Sequence, residues 1–346
     1  MASVCSVISV VVFIALFATS VQAADRYAVI ISGASGGQVY AEKYDKWRAS
    51  FVATLKQKFG YPDDHVFALS EREDRNDLKS TRDNVRRVLG GLRSRLAGDN
   101  LLLVILIGHG TTGEGDEAKF NLLGPDLKSA EWADLLKSIP ARLVFVNTTG
   151  GSFPFMRRVA GRGRIVITAT DSPAQQFETV FPEFFLKAFD DLSADGDQNG
   201  RVSIWEAFDY ASGAVQRWFE QHGQLPTERP LLDDNGDGVG REAQSPLDQK
   251  APRGQLDQKA QGRPLEEKAP GNPIPDGTLA RTVYLAPEPS GTGDPELLKR
   301  RAALERQLDD LRTRKASSPN PAQLDADIER LLIEIARLSQ QLREQR

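Results

Sequence analysis

Residues 100–110 read Asn-Leu-Leu-Leu-Val-Ile-Leu-Ile-Gly-His-Gly, an apolar run in which polar and apolar positions never alternate. Such a strand has to be covered on both faces, which is the situation of an inner strand in a parallel sheet flanked by helices. The surrounding sequence fits that requirement. Arg26 to Gly33 is a short apolar strand closed by a Gly-Ala-Ser-Gly-Gly turn, and Tyr40 to Phe59 carries Tyr44, Trp47, Phe51 and Leu55 at helical spacing. Asp64 to Leu69 reads as a second strand, and Ser80 to Ala97 as a helix opened by a Ser or Thr cap. Ser129 to Ile139 is a further helix, while Ala141 to Asn147 and Gly163 to Thr170 are further strands. Strands alternating with helices predict an α/β fold, a mostly parallel sheet with helices on both faces.

The charge balance narrows the function. A formal net charge of −4 gives no basic surface for nucleic acid, so no nucleic-acid partner is expected. Val4 to Ala18 contains no charged residue, and Val21-Gln22-Ala23 follows as a small-residue cleavage signature. Residues 1–23 therefore read as a secretory signal peptide, too short for a membrane span of about 20 residues, with an uncleaved anchor as the rival. Either reading puts the folded part outside the cytoplasm; cleavage leaves it secreted or periplasmic, with no transmembrane domain in the mature chain. Cys5 is the sole cysteine of the sequence and falls inside that segment. Disulfides, zinc-thiolate sites and cysteine catalysis are then excluded from the mature chain.

Parallel α/β sheets carry their chemistry on loops beyond the C-terminal ends of the strands. Two such loops stand out: His109-Gly110 after the long apolar strand, and Asn147-Thr148-Thr149-Gly150-Gly151-Ser152 after the next one. A strand ending in His-Gly, followed by a strand ending in a small-residue turn, resembles the caspase-like cysteine peptidases, and among them the legumain (asparaginyl endopeptidase) family. The resemblance spans roughly Arg26 to Phe219. It implies a caspase-like fold in which the histidine of His-Gly and a cysteine at the end of the following strand form a catalytic dyad. Here Thr149 falls on the cysteine position. A threonine hydroxyl ionises far less readily than a thiol and needs a well-placed base, itself oriented by a third group. The sequence offers His109 as that base but no evident orienter. The ordinary role of Thr148, Thr149 and Ser152 would be to satisfy backbone donors at a strand-to-helix turn. Ser35, in Gly33-Ala34-Ser35-Gly36-Gly37, matches a nucleophile elbow by spacing but follows the first strand, where a glycine turn is the simpler reading.

Calcium chemistry is written more fully. Asp195, Asp197 and Asn199 occupy positions 1, 3 and 5 of an EF-hand-type loop, and Gly200 stands at position 6, where the backbone turns sharply. The Arg201 carbonyl, Ser203 and the Glu206 carboxylate fill positions 7, 9 and 12, between two amphipathic stretches that predict helix-loop-helix. A second acidic run starts the same way with Asp233, Asn235, Asp237 and Gly238, then has Gly240 at position 8 and Gln244 at position 12. It is either a weak second calcium loop or an Asp/Asn/Gly turn.

After residue 244 the composition changes. Pro246 to Asn272 holds three consecutive nine-residue copies rich in Pro, Gly, Gln and charge, which bury no core. The expected organisation is therefore an α/β domain over residues 24–244, a linker over 245–275, and a strand plus an antiparallel helical hairpin over 276–346. Limited proteolysis is expected to cut within 246–275 first, and a linker that survives while the α/β domain is nicked would contradict that boundary. Thr278 to Pro287 reads as the strand. Leu297, Leu298, Leu304, Leu308 and Leu311 form one apolar stripe, and Leu324, Ile328, Leu331, Ile335, Leu338 and Leu342 a second, at coiled-coil spacing. The stripes pair internally, through self-association, or with a partner.

These features together lead to the expectation of a secreted, calcium-binding, legumain-like pseudopeptidase that binds an unidentified protein or peptide as a scaffold. The rivals are an active hydrolase using Thr149 or Ser152 with His109, and a calcium-dependent interaction module in which the cleft is irrelevant.

Overall fold

The structure is a computed structural model that describes residues 25–72, 77–113, 117–175, 177–243, 275–287, 294–317 and 324–344. The expected signal segment with Cys5, the three nine-residue copies and Gln244 lie outside these residues.

Seven strands form one sheet in the order β10-β9-β8-β4-β1-β2-β3. They are β1 (Arg26–Ser32), β2 (Val66–Ser70), β3 (Leu78–Lys79), β4 (Leu101–Ile107), β8 (Arg142–Asn147), β9 (Arg164–Thr168) and β10 (Leu231–Asp233). All neighbours pair in parallel except β10, which runs antiparallel to β9. β4 lies at the centre with all seven residues buried, as its unbroken apolar sequence requires. Each such Leu, Ile or Val contributes roughly 1.5–3 kcal/mol by leaving water.

The sheet has a core on each face. Ala28, Ile30, Leu103 and Ile105 pack on one side with residues of α1 (Gln38–Ala53), α5 (Phe181–Lys187) and α6 (Ile204–Gln221). Tyr27, Val29, Leu102 and Val104 pack on the other with α2 (Arg82–Arg95), α3 (Ser129–Lys137) and α4 (Phe153–Val159). The expected α/β class, a mostly parallel sheet covered on both faces, is what the chain adopts. Local signals set the helix ends. Thr81 caps α2 by accepting a hydrogen bond from the Asn84 amide, and Ser203 with Glu206 forms a capping box at α6. A small antiparallel sheet of β5 (Gly110–Thr112), β6 (Ala118–Phe120) and β7 (Leu127–Lys128) grows from the end of β4.

Three local expectations change. The first helix flanking the acidic loop is short, ending at Lys187, and the second acidic run begins inside a strand, β10. The stretch expected as a strand, Thr278 to Pro287, is instead a turn, a 3-10 segment over Ala280–Thr282 and one bridge between Tyr284 and Ser203. The cause is anchoring. Asp234 accepts hydrogen bonds from the amides of Gly277 and Ala280, which holds that backbone curled against the domain. Val283 and Leu285 then enter the same core as β1 and α6.

α7 (Pro295–Ser317) and α8 (Asp325–Glu344) run antiparallel: Lys315 meets Asp325 at one end and Arg300 meets Glu334 further along. Leu304, Leu308, Leu331, Ile335 and Leu338 form their shared core, so the two stripes pair with each other. Among the described residues, no helix is long and apolar enough to cross a membrane.

Candidate functional site

The C-terminal ends of β1, β4 and β8 bring the cleft residues together. β4 and β8 are adjacent and parallel, so His109-Gly110 and the Thr148–Ser152 turn sit side by side. Contact is close: a methyl added to Gly110 would lie 2.4 Å from Thr149 Oγ1, which only glycine permits.

His109 is held from three directions. Its Nε2 lies 3.1 Å from the Ser35 carbonyl and 3.2 Å from the Tyr44 hydroxyl. A carbonyl only accepts, so Nε2 donates, and Nδ1 is the basic nitrogen of the neutral ring. The rings of Tyr40 and Tyr44 meet the imidazole edge-on, and burial holds the Tyr44 phenol above its usual range, so it stays neutral. The group that orients this histidine is thus a main-chain carbonyl 74 residues away, with a tyrosine from α1 beside it.

The hydroxyls of the turn are engaged elsewhere. Thr149 is fully buried, and both its amide and its Oγ1 donate to Asn147 Oδ1, the hydroxyl at 2.9 Å. Thr148 Oγ1 donates to the Leu106 carbonyl at 2.7 Å. Thr170 Oγ1 donates to the Gly150 carbonyl, so Ser152 Oγ is the donor in its 3.0 Å bond to Thr170 Oγ1. These hydrogen bonds stitch β4, β8 and the following turn together, the ordinary work of Ser and Thr at a strand end. Ser35 is buried too, and its hydroxyl donates to Glu71 rather than to His109. The arrangement is an oriented base with no activated nucleophile bonded to it.

The acidic loop lies between α5 and α6. Carboxylate oxygens of Asp195, Asp197 and Glu206 come within 4.8 Å of one another. The backbone wraps them: Asp195 accepts from the amides of Asn199 and Gly200, Asp197 from Asn199, and Glu206 Oε1 from Gly196 and Asp197. Gly200 has φ +86°, the left-handed turn that position 6 demands. Asn199 Oδ1 accepts from the Arg201 amide, and Ser203 Oγ donates to Glu206 Oε2 at 2.8 Å. Burial pushes the Asp195 carboxyl above its ordinary range; the Gly200 amide opposes this, and the neighbouring Asp197 and Glu206 charges add to it. Glu206 is raised for the same first reason, burial, with Asp197 next. Three crowded carboxylates, two of them reluctant to ionise, are a donor set that fits a hard dication.

The second acidic run gains a residue that its own sequence lacks. Oxygens of Asp233, Asp237 and Asp276 also come within 4.8 Å of one another. Asn235 contributes differently, its Oδ1 accepting from the Asp237 amide. Asp276 accepts from the amides of Asp234 and Asn235, and burial pushes its carboxyl up to about 7. No local spacing could have pointed to it, because the segment that carries it returns from beyond residue 274.

Glu228 is a further buried carboxyl. It accepts from the amides of Val180 and Phe181 at the start of α5, and burial pushes it up to about 7 against the pull of those two donors. A carboxyl raised from 4.5 in the folded state stabilises most below pH 4.5 and loses that contribution as pH rises to about 7. Glu228→Gln is therefore expected to gain about 1–3 kcal/mol relative to the wild type between pH 4.5 and 7.5. Urea unfolding of both proteins at the two pH values measures this, and parallel pH profiles would refute it.

No protein-family model matches the sequence, and comparison with curated proteins finds no match either. Among solved structures, a crystal structure of a Geobacter sulfurreducens protein is similar at 14% identity and TM-score 0.41, covering 64% of this chain and 96% of that one. Caspase-1 from Spodoptera frugiperda is similar at 10% identity and TM-score 0.43, covering 61% of this chain and 88% of that one.

Proposed function

We propose that the protein is a legumain-like, calcium-binding pseudopeptidase that works outside the cytoplasm by binding a protein or peptide, with a cleft that holds no nucleophile. The observation that carries this reading is the pairing at the ends of β4 and β8. His109 is oriented by Ser35 and Tyr44, while the residue opposite it, Thr149, is buried and bonded to Asn147. A base with a fixed tautomer and no ionisable partner can accept a hydrogen bond from a ligand, which suits recognition better than turnover. The rival hydrolase, with Thr149 or Ser152 as nucleophile, would first have to break the bonds to Asn147 or Thr170. Asp195, Asp197, Asn199, Arg201, Ser203 and Glu206 supply the calcium loop in this reading, and Asp233, Asp237 and Asp276 a second, weaker cation site. The test is hydrolysis of Asn- and Asp-directed peptides by the purified protein, together with labelling by thiol-reactive inhibitors. Neither is expected; turnover that Thr149→Ala abolishes would overturn the reading.

A further inference from the structure

The helical hairpin reaches the acidic loop with both of its helices. Arg301 on α7, only 8% exposed, donates from Nη1 to the Asn199 carbonyl at 3.4 Å, and its Nε lies 3.2 Å from Glu305 Oε1. On α8, Leu332, Ile333, Ala336, Arg337 and Gln340 face Gly196, Asp197 and Gln198 across a groove of about 330 Å³. From the domain side, Asn199 Nδ2 donates to the Tyr284 hydroxyl at 3.3 Å, and the Arg201 guanidinium sits 3.9 Å from the centre of the Tyr284 ring. The loop is thus clasped between the domain and the hairpin, with Arg201 against Tyr284 on the domain side and Arg301 and Arg337 on the hairpin side.

We propose that the hairpin is a calcium-read element: Arg301 and Arg337 offset the negative charge of the calcium-free loop, and ion binding takes over that role and loosens the hairpin from Gly196–Asn199. The proposal rests on the calcium reading of the loop. A dication among Asp195, Asp197 and Glu206 offsets most of the negative charge of the three carboxylates and so weakens the attraction that holds two cationic side chains nearby. The Asn199 carbonyl that Arg301 uses is not a ligand position of such a loop, so the ion and the hairpin compete through charge rather than for the same oxygen. Loosening α8 uncovers Leu332, Ile333 and Ala336, an apolar strip whose Ile333 is already 47% exposed. Coupling is reciprocal, so the hairpin must weaken calcium binding by the same factor that calcium weakens docking. A coupling between surface charges of this kind is expected at roughly threefold to tenfold per arginine.

Calorimetric calcium titration of the full chain, with Arg301→Gln, Arg337→Gln and Glu206→Gln variants, tests it. Both arginine variants are expected to bind calcium roughly threefold to tenfold more tightly than the wild type. Hydrogen exchange in α7 and α8 is expected to rise with calcium in the wild type and to stay unchanged in Glu206→Gln. If the wild type binds calcium but the arginine variants bind it no more tightly, or exchange in the hairpin falls with calcium, the coupling is overturned and the loop reading stands. If the wild type binds no calcium, both are overturned. Should Arg301→Gln fail to fold, Arg337→Gln and the wild-type exchange data decide the matter.

Discussion

Thr149→Cys is expected to produce the largest change in activity available from one substitution: measurable hydrolysis of Asn- or Asp-directed peptides, and labelling by thiol-reactive inhibitors, where the wild type gives neither. Thr149 Oγ1 lies against Gly110, next to His109, so a thiol at this position enters the neighbourhood of an already oriented imidazole. A thiol ionises near pH 8.5, and lower beside a histidine, whereas a hydroxyl does not. A general base contributes about 10²–10⁴-fold to a reaction that has a competent nucleophile. Thr149→Ser is the control. It retains the hydroxyl that bonds Asn147 and is expected to stay inactive. A peptide-cleavage assay across the three proteins checks this, and activity in Thr149→Ser equal to that in Thr149→Cys would mean that hydroxyl chemistry suffices.

Added calcium is expected to raise the melting temperature, and chelator to lower it. Ligand that binds only the folded state stabilises by about 2.7 kcal/mol at a hundredfold excess over Kd. For a domain of this size that corresponds to a shift of about 5–10 °C. Extracellular loops of this type bind at roughly 10⁻⁴–10⁻³ M, so the shift should appear across millimolar calcium. Glu206→Gln is expected to lose most of it, because Glu206 would supply the bidentate position of the proposed calcium loop, and its two oxygens collect four donors from Gly196, Asp197 and Ser203. Burial raises the Asp195 carboxyl to about 7 and moves Glu206 in the same direction, so the ion should also displace protons, and the shift should shrink as pH falls through 7. Differential scanning fluorimetry over calcium and pH measures all three effects; a melting curve indifferent to calcium would leave the loop as an acidic turn.

The parts of this molecule that were legible in its sequence are those governed by local rules. Leu101 to Ile107 could only be an inner strand, a Ser or Thr cap announced the helix that Thr81 opens, and the spacing from Asp195 to Glu206 predicted a loop whose three carboxylates do converge. What the sequence hid depends on chain returning from far away. Thr278 to Pro287 has the composition of a strand, yet the Asp234 carboxylate anchors its backbone into a 3-10 turn. β10 was hidden because three residues on an antiparallel edge carry no period, and its last residue is also the first of the acidic run. Asp276 joins Asp233 and Asp237 with no spacing rule to announce it. The orienter of His109 was beyond any motif, since a carbonyl at Ser35 is chemically the same as every other carbonyl in the chain.

The most direct measurement of the central claim is isothermal calorimetry of calcium into the wild type and Glu206→Gln, run in two buffers of different ionisation heat. Saturable binding by the wild type is expected at submillimolar to millimolar calcium. A buffer-dependent heat is expected from protons displaced at the loop, Asp195 first, as is loss of that binding event in Glu206→Gln. No saturable heat from the wild type, or identical isotherms for the two proteins, would contradict that claim.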